Sequence, residues 1–266
     1  MSDPQLIYNV DAGVATIRMN RPAQLNALSL ELLAALKQAF DAAADDAAVR
    51  AVILTGAGRG FCSGADLAQS VDRAPKGADG KLDIGGPLDT HYNPLVERMQ
   101  TLPKPIIAAV NGIAAGAGCS LALMADMTIA ARSAKFLQAF VNIGLMPDAG
   151  GTWILPRLLG PQRAAGFAML GQPITAEQAL AWGLIWEVVD DSALETTAVA
   201  LATRLAEGPA VALERIKRSL QAATRNDLRT QLQLEREWQR DLGQTGDFIE
   251  GVTAFMQKRP ARFKGQ

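Results

Sequence analysis

Two β-prone runs, residues 6–10 and 14–19, flank the turn-forming Asp11-Ala12-Gly13 and predict a β-hairpin at the start of the chain. The period then changes. Ser29 stands where a helix N-cap belongs, and Leu30, Leu33, Ala34, Leu36 and Phe40 recur at the spacing of an amphipathic helix running toward Ala44. The continuous apolar runs at 51–54 and 105–110 are too short for helices and read as buried strands, the first ending near Thr55. Between them, residues 70–90 are rich in Gly, Pro, Asp and Lys without apolar period, which predicts an irregular surface segment. Residues 95–102 predict a helix that Pro103 and Pro105 stop, and 116–124 restart one. A third parallel strand is expected at 127–130, a helix-like run at 152–159 and a short late strand at 185–189. Residues 193–206, 210–222 and 228–242 predict further helices. The repeated order of strand, turn and helix argues for an α/β fold, with a helical C-terminal region from about residue 200.

Glycine follows the two buried runs. The stretches are Gly56-Ala-Gly-Arg-Gly-Phe-Cys-Ser-Gly-Ala-Asp66 and Asn111-Gly-Ile-Ala-Ala-Gly-Ala-Gly118. Glycine directly after a strand lets the backbone turn tightly and approach a ligand. Two such turns at one sheet edge would present converging N–H groups, which stabilise negative charge growing on an oxygen in acyl and enolate chemistry. The second also opens a helix, whose N-terminus favours anions. A nucleotide-binding reading fits less well, because the glycine spacing is not a dinucleotide fingerprint and no Gly-Lys-Ser/Thr follows.

At 266 residues and 49% hydrophobic content the chain is long enough for one large domain, or for a domain with an appendage. Lys and Arg number 26 against 27 Asp and Glu, so no global field attracts nucleic acid or an anionic membrane, and an anionic ligand must be held locally. Cys62 and Cys119 cannot form a disulfide framework and lack zinc-ligand spacing, so a metal is not expected. The first ten residues show no secretory pattern, and the apolar stretch 105–125 is interrupted by Asn111, Ser120 and several glycines; a cytoplasmic protein is the expectation.

The lone histidine, His91, ends the irregular segment beside Tyr92 and reads as solvent-facing, since no serine lies in a Gly-x-Ser-x-Gly turn to use it. Asp148, in Pro147-Asp-Ala-Gly-Gly151, has two readings. As a cap it would open the following helix, and sequence alone favours this; as a general base its pKa would be tuned by neighbours such as Phe140, Leu145 and Met146. Lys258, in the basic tail 255–264, is a possible anion contact.

Asn20-Arg-Pro-Ala-Gln-Leu-Asn-Ala27, Phe61-Cys-Ser-Gly-Ala-Asp66, Pro105-Ile-Ile-Ala-Ala-Val-Asn-Gly112, Ala149-Gly-Gly-Thr152 and the tail from Phe255 to Lys264 stand in one order that resembles the crotonase, or enoyl-CoA hydratase/isomerase, superfamily over nearly the whole chain. The resemblance implies a spiral of ββα units over residues 1–200 and a helical trimerisation region over 201–266. It further implies a homotrimer or dimer of trimers, and an acyl-CoA substrate with no cofactor beyond the coenzyme A that the substrate carries. It assigns the thioester oxygen to the backbone N–H groups of Ala65 and Ala117, the latter an alanine where a glycine is common. Around the thioester it places Gly64, Asp66, Leu67, Gly118, Phe140 and Leu145. Gln24, itself counted among the substrate contacts, stands where many relatives carry a basic residue, so a charged contact to the CoA phosphates is missing there, with Arg21 and Lys258 the nearest candidates to replace it.

Hydratases of this family use two glutamates, and the corresponding positions here look like Ser120 and Phe140. Asp148 instead matches the aspartate of isomerase and dehalogenase branches, which makes it the implied general acid/base. Dehalogenases ring their substrate with aromatic side chains, whereas aromatic residues are 5% of this chain. Proton shuttling is the better expectation. The segments Ala131-Arg-Ser-Ala-Lys-Phe136, Gly144 to Pro156, Trp182-Gly-Leu-Ile-Trp186 and Leu234 to Arg240 look closest to family members that isomerise the ring-1,2-epoxide of phenylacetyl-CoA. Three alternatives stay open: an enoyl-CoA hydratase, a thioesterase or dehalogenase with Asp148 as nucleophile, and a silent CoA-binding scaffold.

Overall fold

The computed structural model describes residues 4–67, 76–77 and 80–266. Strands β1 (Leu6–Asp11) and β2 (Val14–Met19) form the expected antiparallel hairpin, with Leu6 opposite Met19. Ala12 and Gly13 both take positive φ, the geometry that matches a two-residue turn to strand twist. From β2 the sheet continues in parallel through β3 (Ala51–Gly56), β5 (Ile106–Val110), β7 (Met127–Ala131) and β10 (Glu187–Val189). Every residue of β3 and β5 is buried, so their sequences read as unbroken apolar runs rather than alternations.

A second sheet accounts for the glycines. After β3, β5 and β7 the chain turns a corner and continues as β4 (Gly60–Cys62), β6 (Ile113–Ala115) and β8 (Lys135–Leu137), and β9 (Ile174–Thr175) completes the order β4-β6-β8-β9. The glycine stretches are therefore corners between two sheets followed by short strands, not simple turns at the edge of one. Corner packs on corner here: a Cβ built on Gly112 would lie 2.1 Å from the Arg59 carbonyl oxygen, closer than any side chain allows.

Ser29 caps α1 (Leu30–Asp45) through a 3.1 Å bond from the Leu32 N–H to its hydroxyl. The irregular segment expected at 70–90 lies partly outside the described residues, and its end is ordered otherwise. Gly85–Pro87 is a helical turn and Leu88–Tyr92 a π-helical turn, running directly into α2 (Asn93–Thr101). His91 accordingly sits half-buried on a helical turn rather than in a loop. Helix α3 (Ala117–Leu123) follows β6. Helix α4 (Gly151–Leu170) bends at Gly160, where φ is +69°, just before Pro161. Next come α5 (Ala176–Trp182) and α6 (Leu194–Ala206). Ala198, Ala202 and Ala206 are buried where α6 packs on β3 and β5, so a boundary at residue 200 would cut a core helix. The remaining C-terminal helices are α7 (Ala210–Ala223), α8 (Leu228–Leu242) and α9 (Gly246–Met256), the last not anticipated from the pattern.

Candidate active site

The first glycine loop is held by the Asn-Arg-Pro segment. Leaving β4, residues 63–66 run beside 25–28: the Ser63 N–H donates to the Leu25 carbonyl at 3.0 Å, Leu28 to Gly64 at 2.8 Å and Asp66 to Leu28 at 3.1 Å. This ladder uses the N–H groups of Ser63 and Asp66 and leaves that of Ala65 without an acceptor among the described residues. Buried Asn26, in the left-handed region with φ +56°, donates to the carbonyls of Ala57 and Gly60 at 3.0 and 2.8 Å and accepts from the Arg21 N–H. Arg21 pairs with Asp66 at 2.8 Å, with side chains only 12% and 13% exposed, and also donates to the Ala27 carbonyl. Asp66, expected as a substrate contact, is thus engaged by Arg21 and serves as an anchor of the loop. The same pairing takes Arg21 away from any phosphate.

The second loop brings its own donor. Gly116, at φ +53°, gives its N–H to the Leu137 carbonyl, and Ala117 begins α3, so its N–H has no carbonyl one turn back to bond. The loops meet at the residues preceding the two donors: a Cβ on Gly64 would lie 3.0 Å from the Ala115 carbonyl oxygen and 3.7 Å from the Gly116 Cα. Parallel pairing of β4 with β6 sets this convergence. Gly118, expected to touch substrate, has another task, since a Cβ there would lie 2.6 Å from the Cys62 side chain; its lack of one lets α3 seat on β4.

Asp148 does not cap α4. The N-cap is Gly150, and the turn into the helix is made by Ala149 and Gly150, both with positive φ, while the Asp148 carbonyl accepts from the Gly151 N–H at 2.8 Å. Freed from capping, the carboxylate has a buried Oδ1 with no hydrogen-bond partner. Burial pushes its pKa up to about 6. The Asp148 turn is wedged between two helices: a Cβ on Gly151 would lie 2.8 Å from the Ser120 Oγ of α3, and one on Gly150 would lie 3.6 Å from the Val96 Cγ1 of α2. Ser120 is fully buried, and the Phe140 ring lies against Gly116, at 3.7 Å from a Cβ built there. The two positions matched to hydratase glutamates therefore sit beside the loops and hold no carboxylate.

The outer residues are placed less centrally. Leu67 and Leu145 are exposed, as is Gln24, whose carbonyl accepts from the Ser63 hydroxyl. Lys258 lies exposed just past α9 with φ +53°, and none of the hydrogen bonds or ion pairs of the described residues ties its ammonium to these loops. Two neighbours of the site escaped the sequence reading. Tyr92 is buried at the end of the π-helical turn, and Gln138 is buried with both amide atoms unpartnered. Gln138 had a faint signal as a polar residue between Phe136 and Phe140; Tyr92 had none. Among the described residues no group of three His, Cys, Asp or Glu is arranged to hold a metal ion. No helix among them is long and apolar enough to cross a membrane.

Two backbone donors on adjoining loops and a carboxylate with a raised pKa have the chemistry to stabilise an enolate and move a proton on and off carbon. Comparison with known proteins agrees with that chemistry. The family model for enoyl-CoA hydratase/isomerase matches residues 9–266. The chain is 49% identical to the 1,2-epoxyphenylacetyl-CoA isomerase of Escherichia coli (strain K12), over 98% of each protein. It is 47% identical to a Rhodobacter capsulatus protein named "Probable enoyl-CoA hydratase", over the full length of both. The crystal structure of an enoyl-CoA hydratase from Bacillus anthracis superposes with a TM-score of 0.92 at 34% identity, covering 99% of this chain and 100% of that one. Family match, full-length relatives and the crotonase-type fold agree: the chain belongs to the enoyl-CoA hydratase/isomerase family.

Proposed function

We propose that this protein is an acyl-CoA isomerase that shifts a double bond by proton transfer through a thioester enolate. One observation carries the reading: Asp148 holds a carboxylate with a raised pKa on a turn that packs against Ser120 of α3, while Ser120 and Phe140 stand where a hydratase would hold its two glutamates. The thioester oxygen lies on the N–H groups of Ala65 and Ala117, which acidify the adjacent carbon. Asp148 takes a proton there, and the resulting acid returns it farther along the conjugated system, so no proton is lost overall. The relative at 49% identity, named 1,2-epoxyphenylacetyl-CoA isomerase, supports ring-1,2-epoxyphenylacetyl-CoA as the substrate of this chain; the proposed product is oxepin-CoA, and 3-enoyl-CoA thioesters are simpler substrates.

Asp148→Asn keeps the size of the side chain and removes the base. Isomerisation of 3-hexenoyl-CoA by this variant is expected to fall by about a thousandfold or more in kcat. A rate near that of the parent defeats the mechanism. Relatives named as hydratases sustain a second reading, so crotonyl-CoA belongs in the same assay. Little or no water addition is expected, because one carboxylate cannot both place a water and deliver a proton to the neighbouring carbon.

A further inference from the structure

Gln138 follows β8 and is fully buried, yet neither the nitrogen nor the oxygen of its amide has a hydrogen-bond partner. Buried polar groups are almost always paired, and an apolar side chain of similar length would fill this space without leaving anything unsatisfied. The residue touches both halves of the site. One position earlier, the Leu137 carbonyl accepts from the Gly116 N–H, next to the donor of Ala117, at 2.8 Å. At the far end, the amide Nε2 lies 3.8 Å from a Cβ built on Gly151, whose N–H closes the Asp148 turn. The first and fourth Cα atoms of such a turn are within about 7 Å, so the amide stands within a side chain's reach of Asp148.

Asp148 Oδ1 is a second buried atom without a partner on this turn, and among the described residues no other buried carboxylate oxygen shares that condition. The buried donors that lack a partner elsewhere belong to other places: Tyr8 to the edge strand β1, Arg50 to a guanidinium that holds the Gly208 carbonyl, and Arg98 to one that pairs with Asp41. Only Gln138 stands at the base. Ser120 completes the set, since its hydroxyl lies 2.8 Å from the same built Cβ and its bond to the Gly116 carbonyl, at 3.5 Å, is at the limit of one. The turn itself is strained, with Ala149 at φ +47° despite its Cβ. A carboxylate oxygen, an amide and a hydroxyl, none well paired, thus surround one strained turn, and a small rotation of that turn pairs them with one another.

We infer that Gln138 is a positioning residue for the base: when an acyl group fills the site, its Nε2 donates to Asp148 Oδ1 and its Oε1 accepts from the Ser120 hydroxyl. Oδ2 is then the oxygen left to take the proton from the α-carbon. The amide supplies the one partner that burial denies the carboxylate, and it fixes which oxygen faces the substrate. This rests on the acyl-CoA reading above and adds to it the residue that orients Asp148.

The test reads the base alone. Phenylacetyl-CoA has no double bond to shift, so exchange of its α-protons for deuterium in heavy water reports only the proton going on and off carbon. Gln138→Met, with Gln138→Leu beside it as a second apolar replacement, is compared with the wild type. The exchange rate at saturation is expected to fall about tenfold, the worth of a hydrogen bond to a charged group at its lower end. Half-saturation is expected to stay within about threefold of the wild type, because the thioester is held elsewhere. The melting temperature should be equal or higher, since two unsatisfied buried atoms are removed. Exchange at the parental rate in both variants overturns the inference. So does a joint fall in rate, affinity and melting temperature, which marks a merely structural residue. No exchange by the wild type defeats the role of Asp148 as base and this inference with it. Slowed exchange in an enzyme that leaves 3-hexenoyl-CoA untouched defeats the isomerisation and leaves the role of Gln138 standing.

Discussion

Asp148 carries a carboxylate whose Oδ1 is buried and unpartnered, and the consequence reaches both rate and stability. As the base it must be ionised, so kcat/KM for a 3-enoyl-CoA should rise with pH through an apparent pKa of about 6 and level off above it. The stability effect has the opposite sense. A carboxyl whose folded pKa is raised contributes stability that is fully present below its unfolded value of 3.8 and lost as pH rises through about 6. Asp148→Asn escapes that loss, so at pH 7 it should be more stable than the parent by about 1–2 kcal/mol, after allowance for partial solvent contact, with the gap closing near pH 4. Urea unfolding at the two pH values measures it. Sequence pointed to Asp148 but favoured the wrong role, because capping depends on the φ angles of Ala149 and Gly150, which the letters Asp-Ala-Gly-Gly do not specify. Gln138 gave only a faint signal for a related reason: what marks it is a buried amide without a partner, which is a property of the packed structure.

Among the elements, the segment from Asn20 to Leu28 does more than precede a helix. Through Asn26, the Arg21–Asp66 pair and the short ladder to residues 63–66 it fixes the shape of the first loop without contributing a reacting group. Asn26→Ala strands the carbonyls of Ala57 and Gly60, and should cost about 2–3 kcal/mol in chemical denaturation while lowering kcat for isomerisation. Unchanged stability and rate would show that the loop holds its shape unaided. The strands of the large sheet and most helices were legible because several residues in each repeat a period or form an unbroken apolar run. β4, β6 and β8 were not: three residues carry no period, and only pairing with distant segments makes them strands. The π-helical turn before α2 was hidden by glycines and a proline that ordinarily signal loops. Helix α9 was masked by Gly246 and Gly251, which ordinarily signal turns, in a short run that Asp247 and Glu250 also interrupt.

At the scale of the molecule, α7 and α8 contain no fully buried residue in the single chain, and Ile216, Leu220, Leu228 and Leu232 on them are exposed. Such apolar surface predicts burial between copies of the chain, and we propose a homotrimer or a dimer of trimers. Sedimentation should give a species of three or six chains for the wild type, and Leu220→Glu together with Leu232→Glu should shift it toward monomer. A monomeric wild type would refute this assembly. The α/β class and the glycine loops were readable because they depend on composition and local order, whereas the domain limit near residue 200 was misplaced because α6 has the same helical pattern as its successors and differs only in packing on the sheet. The pairing of β4 with β6 has one more consequence. In the proposed reaction the two donors are themselves main-chain groups, which no side-chain substitution deletes, whereas the proton is carried by the single side chain of Asp148 on a separate turn. Holding a thioester and choosing what happens to it are thus separately mutable, and a lineage can exchange its reaction by changing a few side chains around a grip that it never has to rebuild.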